Sequence, residues 1–250
     1  MKKELTNRLP VDILVLAAGR GTRMNSDINK MFKKIKGVPV LYRTLYRLNR
    51  VSCIARIIVV IREEEQADYL DMIRVYGELE KVKEIVNGGR ERNDSVNSGL
   101  GFIQQNPGSE IIMTHDGARP FVTERLVERL VERVDADTIV IPVIKVNETV
   151  RKKNQDGSTC TIDRDTLFIT QTPQAFKVES IGPCFLSDQQ RNISKTDEAG
   201  YFENMGLAVT MVEGEKWNIK ITSKEDLDWS EFLLNRYDHL RINSFDRPSL

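Results

Sequence analysis

Several groups of residues in this chain have the types and spacing to do chemistry together. Ala17, Ala18, Gly19 and Gly21 form a turn of small residues, followed by Arg23 and then Lys30. Gly88, Gly89, Arg92 and Ser95 form a second loop rich in glycine and arginine. Asp116 and Arg119 follow in a third, Thr149 and Arg164 in a fourth, and Lys220 lies near the end. A turn without side-chain bulk lets backbone N–H groups approach a phosphate closely. Arginine can grip phosphate with two parallel bonds, and lysine acts on it as a point charge. Cations at several strand ends suggest a site that handles more than one phosphate group, with Asp116 as its main acid. Phosphoryl or nucleotidyl transfer fits, because that chemistry rests on positioning and charge stabilisation.

The residues alone leave other readings open. The first stretch suits a tight turn after the first strand of any α/β protein. Arg92 could cap a nearby carboxylate, and Asp116 the turn that follows it. Arg164 could be a surface residue, and Lys220 a lysine guarding an edge strand. Two familiar glycine motifs are excluded. Met24 stands where a third glycine would complete GxGxxG, which disfavours a dehydrogenase, and no GxxxxGK[ST] is present. No Ser-His-Asp set or local Cys-His pair is evident. With only His115 and His239, and with three scattered cysteines, neither a zinc site nor a disulfide framework follows.

The charge balance agrees with a local cationic site. Lys plus Arg equals Asp plus Glu at 37 each over 250 residues, so no global excess invites nucleic acid. No apolar run approaches a membrane span, and the basic N-terminus lacks the apolar region of a signal peptide. The expectation is a soluble cytoplasmic protein, one domain over 1–250.

The elements that must position these groups alternate. Apolar runs at 13–16, 56–61, 82–86, 111–114 and 138–143 read as strands. A charged stretch at 63–77, a stretch at 93–105 and a striped one at 123–134 read as helices, with another opened by Pro39. Such alternation predicts an α/β fold: a mostly parallel sheet with helices on both faces and ligands at the carboxyl ends of its strands. The loops after Leu16, Val86 and Thr114 all fall at such ends. From 144 to 169 the pattern changes to a projecting β-hairpin arm, of a kind that often packs on a partner subunit. Further on, a helix through 204, strands at 208–213 and 218–222, and a helix at 223–235 with Ser223 and Asp226 as its cap are expected.

Taken in order, LAAGRGTRM (16–24), GGRERNDSVNSGL (88–100), THDGARP (114–120), the DR of TIDRDTL (161–167), QTPQAF (171–176), TDEA (196–199) and NIKIT (218–222) resemble the 2-C-methyl-D-erythritol 4-phosphate cytidylyltransferase family of the non-mevalonate isoprenoid pathway. The matches run from about residue 11 to 235. The resemblance implies a Rossmann-like nucleotidyltransferase sheet. It implies CMP transfer from CTP to the methylerythritol phosphate, with release of pyrophosphate. Ala17, Ala18, Gly19 and Gly21 would line the CTP phosphates, and Arg23 and Lys30 would stabilise charge on the α-phosphate. Gly89, Arg92 and Ser95 would hold the cytidine end. Asp116 would sit at the ribose and reaction centre, near a Mg²⁺ bound mainly through the triphosphate. Arg119, Thr149, Arg164 and Lys220 would position the acceptor, the arm residues reaching across a homodimer.

The chain departs from the family pattern at Asn29-Lys30-Met31, where Pro-Lys-Gln is usual. It also has a longer entry to the arm, 142–149, and Trp217 ahead of NIKIT. Ribitol-5-phosphate cytidylyltransferase is the related alternative, disfavoured by Ala18 and Glu198. A nucleotide-binding regulatory module without catalysis is the alternative of another class, disfavoured by the retained Arg23, Lys30, Arg164 and Lys220.

Overall fold

The computed structural model describes residues 9–19, 30–182, 185 and 196–236. Its centre is β1 (Val11–Leu16), all six residues buried. Alternate side chains of β1 enter different cores. Val11, Ile13 and Val15 face one layer, and Leu14 and Leu16 the other. That is why the strand reads as a continuous apolar run and not as an alternation.

β1 pairs in parallel with β4 (Ile54–Ile61) and β6 (Ile111–Asp116), and β4 with β5 (Val82–Asn87). β2 (Lys34–Ile35) and β3 (Val38–Pro39) form a separate small hairpin. Its turn uses Lys36 and Gly37, both at positive φ. Beyond β6 the sheet turns mixed. β11 (Gln174–Lys177) is antiparallel to both β6 and β7 (Thr138–Lys145). β7 also takes β10 (Phe168–Thr170) antiparallel and β12 (Ala208–Glu213) parallel.

Helices cover both faces, as expected. α1 (Val40–Asn49), α2 (Gln66–Tyr76), α4 (Glu124–Val131) and α6 (Lys224–Arg236) feed the core that includes Ile13. α3 (Arg92–Gln105) and α5 (Ala199–Asn204) feed the core that includes Leu14. The α6 cap forms as expected: the Thr222 and Ser223 N–H groups donate to Asp226 Oδ2 at 2.7 and 2.9 Å. Among the described residues no helix is long and apolar enough to cross a membrane.

Three expectations are corrected, and one strand is added to them. Residues 218–222 join no ladder, because their polar groups bind the loops around them; the Ile221 N–H, for one, donates to Ala118 O at 2.8 Å. The arm is shorter than 144–169. β7 runs on to Lys145, and Phe168 already pairs with it, so only β8 (Val150–Lys153) and β9 (Thr159–Ile162) form a hairpin of their own. Pro39 ends β3 and precedes α1, capping it without being its first residue. β11 is the added strand: its three buried residues and half-buried Lys177, set between two strands, show no period to read.

Candidate active site

The parallel strands β1, β5 and β6 end on the same edge of the sheet, and their loops meet there. Ala17 N–H donates to Val60 O at 2.8 Å and Gly88 N–H to Ile61 O at 2.7 Å, so both loops are stitched to β4. A Cβ on Gly88 would stand 2.6 Å from the Ala18 Cβ and 2.8 Å from Ser95 Oγ. Glycine is required there because the first two loops touch. The Ala17 and Gly88 N–H groups are thus spent on the scaffold, while the chain emerges at the surface at Gly19. Buried Ser95 accepts from Gly89 N–H at 3.2 Å and donates to Glu91 O at 3.2 Å. It braces the second loop. A Glu91–Asp94 capping box then starts α3 with Arg92 in its first turn.

β6 delivers Asp116 to the middle of this edge, 7% exposed. Lys220 Nζ lies 2.9 Å from its Oδ2, Arg119 Nε 3.4 Å from the same oxygen, and Arg92 Nη2 3.8 Å from Oδ1. Burial works against the charged carboxylate. The combined field of Lys220, Arg92 and Arg119 outweighs it and holds Asp116 well below the usual carboxylate range. Burial lowers the pKa of Arg119, with Asp116 working against it. Burial also works against the charge of Arg92, but Glu198 and Asp116 overcome it and raise its pKa.

Residues that the sequence reading had not put in the site hold this cluster in place. Asp116 N–H donates to Thr172 Oγ1 at 3.0 Å. His115 Nε2 bonds Arg119 O at 3.2 Å, and a carbonyl only accepts, so Nε2 carries the proton; Thr172 then donates to Nδ1 at 3.1 Å. Fully buried, His115 stays neutral, its pKa pushed down by burial to about 4. Asn218 Nδ2 donates to Thr172 O at 2.8 Å, and Asn218 O accepts from Arg119 Nη1 at 2.8 Å. Gln171 ties in Glu215, whose N–H donates to Gln171 Oε1 at 3.0 Å. Gln174 ties in the loop ahead of α5, donating to Asp197 Oδ2 at 3.1 Å and accepting from Ala199 N–H at 3.1 Å. Glu198 takes two bonds from Arg92. The stretches QTPQ and TDEA were the signal for Gln171, Thr172, Gln174, Asp197 and Glu198, and THDGARP and NIKIT for His115 and Asn218.

The structure therefore brings together Ala17, Ala18, Gly89, Arg92, Ser95, Asp116, Arg119 and Lys220. Thr149 and Arg164 stand apart at the base of the β8–β9 hairpin, both exposed, and Arg164 Nη1 donates to Asn147 O at 2.6 Å. Gly21 and Arg23 lie outside the described residues. Lys30 opens a 3-10 turn, Lys30–Phe32, but its side chain is not described. Trp217 donates to Glu215 Oε2 at 3.0 Å and packs on the core, which accounts for that residue structurally.

Among the described residues no three His, Cys, Asp or Glu side chains gather as a metal cage. Mg²⁺ commonly takes one or two carboxylates plus substrate phosphates and keeps several waters. One ionised carboxylate at the strand end fits an ion held mainly by a polyphosphate ligand. Chemically, the arrangement can receive several anionic oxygens at fixed cations while Asp116 keeps those cations apart and oriented.

Comparison with known proteins agrees with this picture. The family model for 2-C-methyl-D-erythritol 4-phosphate cytidylyltransferase matches residues 11–236. The protein of that name from Clostridium novyi is 39% identical over 222 residues, 88% of this chain and 95% of that protein. The one from Geobacillus kaustophilus is 37% identical, covering 89% and 96%. The crystal structure of 4-diphosphocytidyl-2C-methyl-D-erythritol synthase from Anaerococcus prevotii superposes with a TM-score of 0.76 at 31% identity, covering 91% and 97%.

Proposed function

This chain belongs to the 2-C-methyl-D-erythritol 4-phosphate cytidylyltransferase family, and on that premise we propose that it transfers CMP from CTP to 2-C-methyl-D-erythritol 4-phosphate, releasing pyrophosphate, as a cytoplasmic step of isoprenoid precursor synthesis. The observation that carries this reading is the buried anion Asp116 ringed by Lys220, Arg119 and Arg92 within 3.8 Å at the carboxyl edge of the sheet.

A phosphate oxygen of the acceptor attacks the α-phosphorus of CTP. A new O–P bond forms, the bond to the β-phosphate oxygen breaks, and its electron pair leaves with pyrophosphate. The acceptor oxygen is already anionic, so no general base is needed. The cost is repulsion between like charges, which flanking cations lower. Lys220 and Arg119 hold the acceptor phosphate. Arg92, Gly89 and Ser95 serve the cytidine end. Ala17, Ala18, Gly19 and Gly21 border the triphosphate, with Arg23 and Lys30 set against the charge that grows on the α-phosphate. Asp116, with the CTP phosphates, would hold Mg²⁺, which when bound supplies charge neutralisation on the triphosphate and the departing pyrophosphate. The chain acts as a single domain whose arm pairs two copies, so Thr149 and Arg164 complete the partner's acceptor site. Their exposure at the base of a hairpin outside the main sheet supports that reading.

The test is pyrophosphate release from CTP and Mg²⁺ with methylerythritol 4-phosphate or ribitol 5-phosphate as separate acceptors. Release with the first alone is expected. Release with ribitol phosphate alone would reassign the acceptor, and release with neither would overturn the transferase reading.

A further inference from the structure

Glu198 is fully buried, and its carboxylate takes two parallel bonds from Arg92, Nη1 to Oε1 at 2.9 Å and Nη2 to Oε2 at 3.0 Å. A carboxylate so deeply desolvated persists only where it is paired and fully bonded. Its backbone is held independently. Gln174 fixes both neighbours, Asp197 and Ala199, and Asp197 Oδ1 accepts from Gly200 N–H at 3.3 Å to start α5. Glu198 is therefore not needed to hold its own loop; its carboxylate is directed at Arg92.

Arg92 is the hinge of the electrostatics. It sits in the first turn of α3, just after the Gly88-Gly89 loop, with 26% of its side chain exposed. Its Nη2 stops 3.8 Å from Asp116 Oδ1, short of a hydrogen bond. Without Glu198, the nearest carboxylate to that guanidinium is Asp116, which already serves Lys220 and Arg119. The fork would close on Asp116 Oδ1, the oxygen opposite the one that Lys220 and Arg119 face, and so move away from the glycine loop.

We propose that Glu198 is a positioning residue for the nucleotide: it holds the Arg92 guanidinium off Asp116, so that Arg92 keeps its outward donors for CTP and Asp116 stays with Lys220 and Arg119. This rests on the reading of the edge as a CTP site. The effect falls on nucleotide affinity, since the acceptor cations are not moved.

A double-mutant cycle on the full chain tests this, with the CTP dissociation constant from titration calorimetry and KM and kcat from pyrophosphate release. Glu198→Gln is expected to weaken CTP binding about tenfold, with kcat and the acceptor KM changed less than about twofold. Glu198→Asp keeps the charge and recovers part of the loss. Arg92→Gln combined with Glu198→Gln binds CTP no more weakly than Arg92→Gln alone, because both act through one guanidinium. Losses that add, or a Glu198→Gln variant that binds CTP as wild type does while only its melting temperature falls, overturn the proposal. If wild type binds CTP but releases no pyrophosphate, the transferase reading fails and the binding cycle still judges Glu198. If wild type does not bind CTP, both fall.

Discussion

Replacing Asp116 by Asn removes the anion between three cations without changing its shape. At an effective dielectric constant near 20, pairs at 2.9, 3.4 and 3.8 Å contribute roughly 4–6 kcal/mol each before desolvation is subtracted. Burial of the carboxylate offsets much of that, and Lys220, whose side chain is 35% exposed, is partly screened by water. Breaking a buried pair by removing one partner costs about 3–5 kcal/mol. With the discount for Lys220, about 3 kcal/mol is expected here, a fall in Tm of about 6–12 °C for a chain of this size. The asparagine amide also turns an N–H donor toward cations that have nothing to accept it. The freed cations should at the same time bind pyrophosphate about tenfold more tightly, because they no longer share their charge with Asp116. Pyrophosphate should therefore raise the Tm of the variant more than that of wild type. Differential scanning fluorimetry with and without pyrophosphate reads both effects. A Tm within about 2 °C of wild type and an unchanged pyrophosphate affinity would refute the account of Asp116 as the counter-charge that organises the cations.

Other perturbations have defined outcomes. His115 has a folded pKa of about 4 against about 6.5 unfolded, so the unfolded chain binds the extra proton between those values. Its contribution is whole above pH 6.5 and is lost as pH falls toward 4, by up to about 3 kcal/mol; denaturant melts of a His115→Gln variant should be flatter over that range. Gly88→Ala puts a methyl group 2.6 Å from the Ala18 Cβ, and should cost about 1–3 kcal/mol in stability and raise the KM for CTP by spreading the two loops. A change in neither would remove the reason given for glycine there. For the arm, equal mixing of inactive Arg164→Ala and Lys220→Ala chains should restore about a quarter of wild-type activity, since half the dimers are hybrids carrying one intact site each. No recovery after subunit exchange would place Arg164 outside the partner's site.

Much of this protein was legible in the order of its residues. The apolar runs of β1, β4 and β6 announced buried parallel strands, because a strand covered on both faces has no polar side to alternate with. Asp226 in the α6 cap was readable because a cap is set by neighbours three and four residues away. Asp116, Arg119 and Lys220, picked out by residue type and by the motifs that carry them, do stand together as one charged cluster. Local signals fail where partners are distant in sequence. β11 is a strand because β6 and β7 leave a slot for it, and 218–222 is not one because its polar groups are claimed by Thr172 and Arg119. Glu198 lies 106 residues from Arg92, and nothing local distinguishes its carboxylate from an exposed one. Sequence alone determined the alternation of elements, the strand-end loops and the cationic character of the site, since each depends on residue type and short-range spacing. Only the tertiary structure decided which carboxylate each cation faces, because burial and distance arise when remote segments pack together.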